Sequence, residues 1–290
     1  MGNFRTQYLV IGSKGMLGSH MVNLLKELRV EYAEMDIEEI DIARLSSVMD
    51  AVDETRPRAI INCAAITDVD GCESAPDDAF RVNTRGPENL AKACLRFGCL
   101  LLHLSTDYVF DGLKGCSYRE DDPINPLGVY AKSKAEGDAC IRALLPENHC
   151  IVRTQWLYGL YGRNFVEAIL DQAREKSVLR VVNDQHGSPT YAHDLAIAMI
   201  RLCNVGVRGT VHVTNAGHTT WYDFASAIVK KASLNRVEVL PISTGDLKRP
   251  APRPLYSVLD NSRFIELTGA PLRQWEEALD EYLSVRSSIS

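Results

Sequence analysis

The sequence predicts an α/β fold, a Rossmann-type doubly wound parallel sheet followed by a smaller C-terminal substrate lobe. Three observations carry this expectation. Apolar strand-like runs alternate with helix-period stretches through the first half of the chain, a glycine loop (GSKGMLG, Gly12 to Gly18) follows the first such run, and Tyr130 and Lys134 stand one helical turn apart downstream of Ser105, Thr106 and Asp107. Strands that read apolar throughout belong to a parallel sheet with both faces covered.

The elements follow in order. Tyr8 to Ile11 is a short β-branched run ending at Gly12, and Met16 to Leu28 carries apolar residues at helical spacing, which makes strand, turn and helix. Val30 to Met35 reads as a second strand, Leu45 to Val52 as a second helix, and Ala59 to Ala65 as a buried third strand. A helix across Asp78 to Phe97 and the strongly apolar strand Cys99 to Ser105 repeat the alternation. A glycine- and proline-bearing loop from Asp111 to Leu127 precedes the helix of Tyr130 and Lys134, and loops of that length are usually functional or mobile. Beyond it come strands at Cys150 to Arg153 and Leu179 to Val182, helices at Asn164 to Lys176, His193 to Cys203 and Trp221 to about Leu234, an extended stretch at Val237 to Ile242, and a last helix from about Leu272 to Leu283. The resulting division is a dinucleotide-binding domain over residues 1–155 with further sheet elements from about 177–215, an interleaved substrate lobe over 156–285, and a frayed tail at 286–290.

Composition narrows the class. A chain of 290 residues with 46% hydrophobic and 24% charged residues can bury a large core and is not disordered. A net charge of −6 without a basic stripe excludes a general nucleic-acid binder. The opening MGNFRTQYLVIG is too short an apolar run for a signal peptide, and no stretch reaches the length of a membrane span, so no membrane partner and a cytoplasmic location are expected. The eight cysteines lack CxxC spacing and several lie in apolar runs, so they read as buried thiols. The seven histidines show no ligand spacing, and no metal is assigned.

The glycine loop, set between strand and helix, lets a pyrophosphate approach unpaired amides at the helix start. Gly12, Gly15 and Gly18 are therefore cofactor-binding candidates for a nicotinamide dinucleotide. Asp36, near the end of the second strand, suits the adenosine ribose and repels a 2′-phosphate, whereas Lys14 could attract one. The balance leans toward NADH, with NADPH also usable.

A phenol and an ammonium at the Tyr130 and Lys134 spacing share one face of a helix and one bound molecule. Free tyrosine titrates near about 10, and an adjacent ammonium is expected to lower that value while also meeting the nicotinamide ribose. Thr106 would orient a carbonyl oxygen toward Tyr130, and the chemistry so specified is carbonyl reduction. Asp107 reads either as a member of this group or as a loop carboxylate capping backbone amides.

With those motifs in view, the chain resembles the dTDP-4-dehydrorhamnose reductases, a family of the extended short-chain dehydrogenase/reductase superfamily. The resemblance runs from about Tyr8 to the last helix, through GSKGMLG, INCAAITDVDGCE, STDYVFDG, PINPLGVYAKSKAEG (Pro123 to Gly137), RTQWLYG, DQHGSPTYAHDLA (Asp184 to Ala196) and RPLYSVLDNS from Arg253. It implies reduction of the 4-keto group of dTDP-4-dehydro-6-deoxy-L-mannose to dTDP-L-rhamnose. It implies Thr106, Tyr130 and Lys134 as catalytic residues with Asp107 beside them, and Met16 and Leu17 flanking the pyrophosphate loop. Asp41 and Ile42 fall on the adenine side, and Ala64, Ala65 and Asn83 line the nicotinamide side, with Tyr130 and Lys134. Trp156 matches an aromatic platform for the sugar, or packs as a core aromatic. Thr67, Val69, Asn164 and Phe165 are further substrate candidates, and Arg253 suits the diphosphate or a surface ion pair.

Some family members hold magnesium between subunits through a glutamate placed where this chain has Ser19, which leaves magnesium doubtful here. The expected partner is a dTDP-4-keto-6-deoxysugar, and a homodimer is compatible with the sequence. Two other classes share the fold: a non-catalytic regulatory subunit of the methionine adenosyltransferase type, and an epimerase or dehydratase that retains its cofactor. Thr106, Trp156 and the GSPT of Gly187 to Thr190 favour the reductase over the regulatory subunit.

Overall fold

Tyr8 and Val10 of the first strand pack with Leu17, Met21, Leu195 and Met199, while Leu9 and Ile11 pack with Val48, Val52, Leu90 and Cys94. Successive side chains of one strand thus enter two different helical layers, which is why the run is apolar at every position. In the computed structural model, which describes residues 4–289, the first half alternates strictly. It runs β1 (Thr6–Ile11), α1 (Met16–Glu27), β2 (Tyr32–Met35), α2 (Leu45–Thr55), β3 (Pro57–Asn62), α3 (Val69–Ser74), α4 (Pro76–Phe80), α5 (Gly86–Phe97), β4 (Leu100–Thr106), α6 (Val129–Leu144) and β5 (His149–Thr154). The second half adds β6 (Leu157–Tyr158), α7 (Phe165–Glu175), β7 (Val178–Val182), β8 (His186–Gly187), β9 (Thr190–Tyr191), α8 (Ala192–Asn204) and β10 (Gly209–His212). It closes with β11 (Thr219–Thr220), α9 (Trp221–Lys231), β12 (Glu238–Ile242), α10 (Ser262–Thr268) and α11 (Trp275–Ile289).

Six parallel strands form the main sheet in the order β10, β5, β4, β3, β1, β2. The chain leaves β1 toward β2 on one side and returns to β3 on the other, so a crevice opens above their carboxyl ends, where doubly wound sheets bind ligands. A second apolar core, built from α7, α9, α11 and their strands around Tyr158, Phe224, Leu279 and Tyr282, defines the lobe.

Several elements depart from the sequence expectation. The third strand ends at Asn62, leaving Ala64 and Ala65 in the loop beyond it. The helix expected from Asp78 begins at Pro76, and between α4 and α5 the five residues Arg81–Arg85 adopt a π-helical turn. Gly137 of α6 packs against that turn, where an added Cβ would lie 2.3 Å from the Asn83 carbonyl oxygen. β7 pairs with β12 in a separate two-stranded sheet, so of the 177–215 region only β10 joins the main sheet. The last helix starts at Trp275 rather than Leu272 and does not fray at 286: it continues to Ile289, because Arg286 donates to both oxygens of Glu167 on α7 at 2.6 and 2.8 Å. Ser290 lies outside the described residues.

Candidate active site

The cofactor cradle is set by the glycines. Gly12 holds φ at +78°, a left-handed conformation that disfavours side chains, and an added Cβ there would lie 2.7 Å from the amide nitrogen of Ala64. A Cβ on Gly18 would lie 1.9 Å from the Gly12 carbonyl oxygen, so the loop and α1 close on each other only without side chains. Gly15 is the N-cap of α1, which has no side-chain cap and no acidic residue in its first turn. Its first amides therefore suit an anion, and the cradle fits the diphosphate of a dinucleotide. Met16 is half-buried at that terminus, while Leu17 turns into the core.

The other cofactor candidates occupy three surroundings. Asp36 accepts from the Lys14 amide at 2.7 Å, which fixes the loop to the end of β2. The Lys14 side chain does not stand free, because its ammonium pairs with Glu38 at 2.9 Å and Glu39 at 3.7 Å. Asp41 is exposed and accepts from the Ala43 amide at 3.0 Å, whereas Ile42 is buried in the core, its carbonyl receiving the Asn89 amide group at 3.0 Å. Ala64 donates to Asn62 Oδ1 at 3.1 Å, and Ala65 is half-buried beside it. Asn83 is buried, and it ties the loop to the helix: it accepts from the Ile66 amide at 2.9 Å and donates to the Ile66 carbonyl at 3.0 Å and Ser133 Oγ at 3.1 Å.

At the carboxyl end of β4, Thr106, Asp107 and Tyr130 come together. Thr106 Oγ1 donates to Asp107 Oδ1 at 3.1 Å and accepts from the Tyr108 amide at 3.2 Å. Glu73 caps α6 by accepting from the Val129 amide at 2.8 Å, which brings Tyr130 to this strand end. Tyr130 keeps part of its surface exposed, and the ring of Tyr108 meets it edge-on at a centroid distance of 5.9 Å. Burial pushes the Tyr130 phenol above its ordinary value, while a hydrogen bond with Thr106 pulls it down and the Asp107 charge raises it further.

Lys134 contradicts one expectation. Its ammonium donates to the Leu104 carbonyl at 2.7 Å and lies 3.3 Å from His103 Nε2, and it is not among the groups that lower Tyr130. The contacts of the lysine side chain are with β4, at the Leu104 carbonyl and the His103 ring. Burial brings Lys134 itself down to about 8, with Asp138 and Cys63 acting the other way. Asp107 is buried, accepts from Ser257 Oγ at 2.5 Å, and is pushed up to about 7 by burial against its hydrogen bonds from Ser257 and Thr106.

A cavity of roughly 530 Å³ opens beside this group, lined by Tyr108, Phe165, Gln185, Trp221, Arg249 and Arg253 among others. Phe165 stands 4.4 Å from the Trp221 ring, and Trp221 stacks on Trp156 at 3.7 Å, so Trp156 is one half of a half-buried aromatic pair, and only Trp221 of the two lines this cavity. Trp156 holds φ at +48°. Arg253 meets Asp70 as a fork, at 3.0 and 2.9 Å, with Arg249 on the same carboxylate at 3.0 Å. The guanidinium of Arg253 is the main reason the Asp70 carboxyl sits down at about 2. Asn164 caps α7, accepting from the Glu167 amide at 3.1 Å. Thr67 is exposed in the loop after β3, and Val69 opens α3.

Sequence reasoning missed Tyr108, Trp221, Ser257, Asp70 and Arg249. Tyr108 sits inside STDYVFDG, and Ser257 inside RPLYSVLDNS, so both could have been singled out from those motifs. The Asp70 and Trp221 contacts join segments 183 and 65 residues apart and have no local signal. Ser19 Oγ donates to the Ser13 carbonyl at 3.1 Å, and among the described residues no cluster of three or more His, Cys, Asp or Glu could hold a metal. No helix among those residues is long and apolar enough to cross a membrane.

Comparison with known proteins adds four observations to this geometry. Residues 6–287 match the family described as the RmlD substrate binding domain. The chain is 42% identical over 283 residues to the spore coat polysaccharide biosynthesis protein SpsK of Bacillus subtilis, covering 98% of this chain and 99% of that one. It is 42% identical over 282 residues to a dTDP-4-dehydrorhamnose reductase of Streptomyces griseus, covering 96% and 93%. A crystal structure of dTDP-4-dehydrorhamnose reductase from Bacillus anthracis in complex with NADP superposes with a TM-score of 0.93 at 36% identity, covering 97% of this chain and 100% of that one.

Proposed function

Because the chain belongs to the RmlD substrate binding domain family, we propose that it is an NAD(P)H-dependent reductase of a dTDP-linked 4-keto-6-deoxysugar, converting dTDP-4-dehydro-6-deoxy-L-mannose to dTDP-L-rhamnose. The observation that carries this reading is the phenol of Tyr130, gathered with Thr106 and Asp107 at the end of β4 beside the aromatic-lined cavity. Gly12, Gly15 and Gly18 would hold a nicotinamide dinucleotide, which would supply the hydride.

Tyr130 hands its hydroxyl proton to the substrate carbonyl oxygen as the carbonyl carbon is reduced, and Thr106, turning its hydroxyl hydrogen from Asp107 to that oxygen, orients it. A phenol raised by burial stays protonated at neutral pH, which is the form a proton donor needs. Lys134, held by Leu104 and His103, keeps a hydrogen for the ribose hydroxyls. Phe165 and Trp221 offer apolar faces to the nucleotide sugar, and Arg253, released from Asp70 or shared with it, meets the diphosphate. Asp36, Glu38 and Glu39 around Lys14 weigh against a 2′-phosphate, so NADH is preferred and NADPH accepted.

The deciding experiment follows NAD(P)H oxidation with a panel of dTDP-4-keto-6-deoxysugars and determines the stereochemistry of each product. Consumption of the rhamnose precursor with release of dTDP-L-rhamnose is expected. Absence of turnover with every member of the panel, or a cofactor that stays bound and cycles without net oxidation, would sink the proposal.

A further inference from the structure

Asn62 and His103 are direct neighbours in the register of β3 and β4, and both side chains are fully buried under Lys134. Asn62 Nδ2 lies 2.9 Å from His103 Nδ1, and His103 Nε2 lies 3.3 Å from Lys134 Nζ. We propose that Asn62 and His103 are positioning residues for Lys134: they hold the imidazole hydrogen on Nε2, aimed at the Lys134 amine, and so favour the neutral form of that amine.

The argument is a count of donors and acceptors. The Ala64 amide can only donate, so its contact at 3.1 Å identifies the Asn62 oxygen and leaves the NH₂ group facing His103. A donor on Nδ1 requires that nitrogen to be the acceptor, and the neutral ring then carries its hydrogen on Nε2. Burial alone holds His103 below its ordinary value and keeps the ring neutral whichever form Lys134 takes. The opposite tautomer would set two donors against each other at the fully buried Asn62 contact.

With hydrogen on Nε2, an ammonium at 3.3 Å presents a second donor to it. A neutral amine presents a lone pair, donates one hydrogen to the Leu104 carbonyl, and keeps the other. Asp138 Oδ1, which has no hydrogen-bond partner among the described residues and stands 3.8 Å from Nε2, draws the same hydrogen. The charged groups facing Lys134 act in both directions. Asp138 and, when ionised, Cys63 favour the ammonium, while Asp138 is itself engaged by Ser105 at 2.8 Å and faced by Arg153 at 3.7 Å. Tyr130, one turn earlier on α6, is uncharged at neutral pH. Because the Ala64 loop borders the glycine cradle, Asn62 and His103 connect cofactor-site backbone to the lysine by three hydrogen bonds.

This inference rests on reading Lys134 as a catalytic residue, but its test reads the side chains themselves in the cofactor-free protein. Full-length protein labelled with ¹⁵N in histidine and ¹³C at lysine Cε is titrated by NMR, with the Lys134 signal identified by its loss in Lys134→Met. The expected result is an unprotonated Nδ1 and protonated Nε2 in His103, and a Lys134 midpoint below the ordinary lysine value of about 10.4. His103→Gln, whose amide can turn its oxygen to the ammonium, should raise the proton affinity of Lys134 by about tenfold or more. Asn62→Asp, an isostere that only accepts, should move the imidazole hydrogen to Nδ1. Hydrogen already on Nδ1 in the unaltered protein, or an unchanged Lys134 midpoint in a folded His103→Gln variant, would overturn the proposal. If His103→Gln does not fold, the tautomer in the unaltered protein decides. An active Lys134→Met variant would refute the catalytic reading without touching the tautomer.

Discussion

Ser257 Oγ donates to Asp107 Oδ2 at 2.5 Å, joining two residues 150 positions apart. Asp107 is the first residue beyond β4, and Ser257 belongs to the segment that carries Arg253 and Arg249 to Asp70. The C-terminal segment is therefore fastened at both ends of its approach to the site, by a carboxylate on each side. One of these carboxylates is exposed enough to ionise readily. The other is not.

Asp107→Asn tests that difference through the pH dependence of stability. A carboxyl raised to about 7 in the fold, against about 3.9 when unfolded, contributes stability that is fully present below the unfolded value and lost as pH rises through the folded one. Between about pH 4 and 7 the unaltered protein should lose unfolding free energy relative to Asp107→Asn, on the order of 1.4 kcal/mol for each unit. Urea unfolding of both proteins across that window gives the answer, and parallel curves would refute the raised carboxyl.

Tyr130→Phe removes the proton donor while leaving the ring that meets Tyr108 edge-on. Reduction should fall by about 10²- to 10⁴-fold, with NAD(P)H binding close to that of the unaltered protein. Stopped-flow oxidation rates and fluorescence titration separate the two effects. Near-normal turnover would assign the proton to another group.

Gly18→Ala forces a methyl group to within 1.9 Å of the Gly12 carbonyl oxygen, and backbone must move to admit it. Dinucleotide affinity should drop by an order of magnitude or more, about 1.4 kcal/mol at least, with a lower Tm. Calorimetric binding that matches the unaltered protein would show that the cradle is not the diphosphate site.

Arg253→Ala should raise KM for the nucleotide sugar and leave NAD(P)H affinity unchanged, because the guanidinium lies at the cavity and away from the glycine loop. Arg253→Lys keeps the charge but loses the planar fork that meets Asp70, and should recover only part of the loss. Steady-state kinetics with each substrate varied in turn is the measurement. An increase in both constants alike would instead indicate a structural role for the pair with Asp70.

Much of this arrangement was legible because it is local. The strand, glycine turn and α1 follow from apolar runs interrupted by residues without side chains, and Tyr130 and Lys134 share a helix by simple periodicity. Periodicity did not show which way the lysine turns, since its orientation is set by the Leu104 carbonyl on another element. The end of β3 was misjudged for a similar reason: Cys63, Ala64 and Ala65 are as apolar as a strand, but Gly12 packs against the Cys63 and Ala64 backbone and the pairing with β1 and β4 stops at Asn62. The tail was expected to fray as a chain terminus, and its helix is held by the distant Glu167. Partners brought together by topology leave no mark on spacing.

The widened turn at Arg81–Arg85 holds one residue more than an α-helix would use. That extra residue is absorbed as a bulge, so the two helical stretches keep their phase. Deleting one residue there would heal the turn to α-helix with α4 and α5 nearly unrotated, and would displace the side chains of the turn itself. Asn83 would swing off Ile66 and Ser133, so the loop that borders the cofactor cradle and the helix that carries Tyr130 would lose their common anchor without a single active-site side chain having been altered.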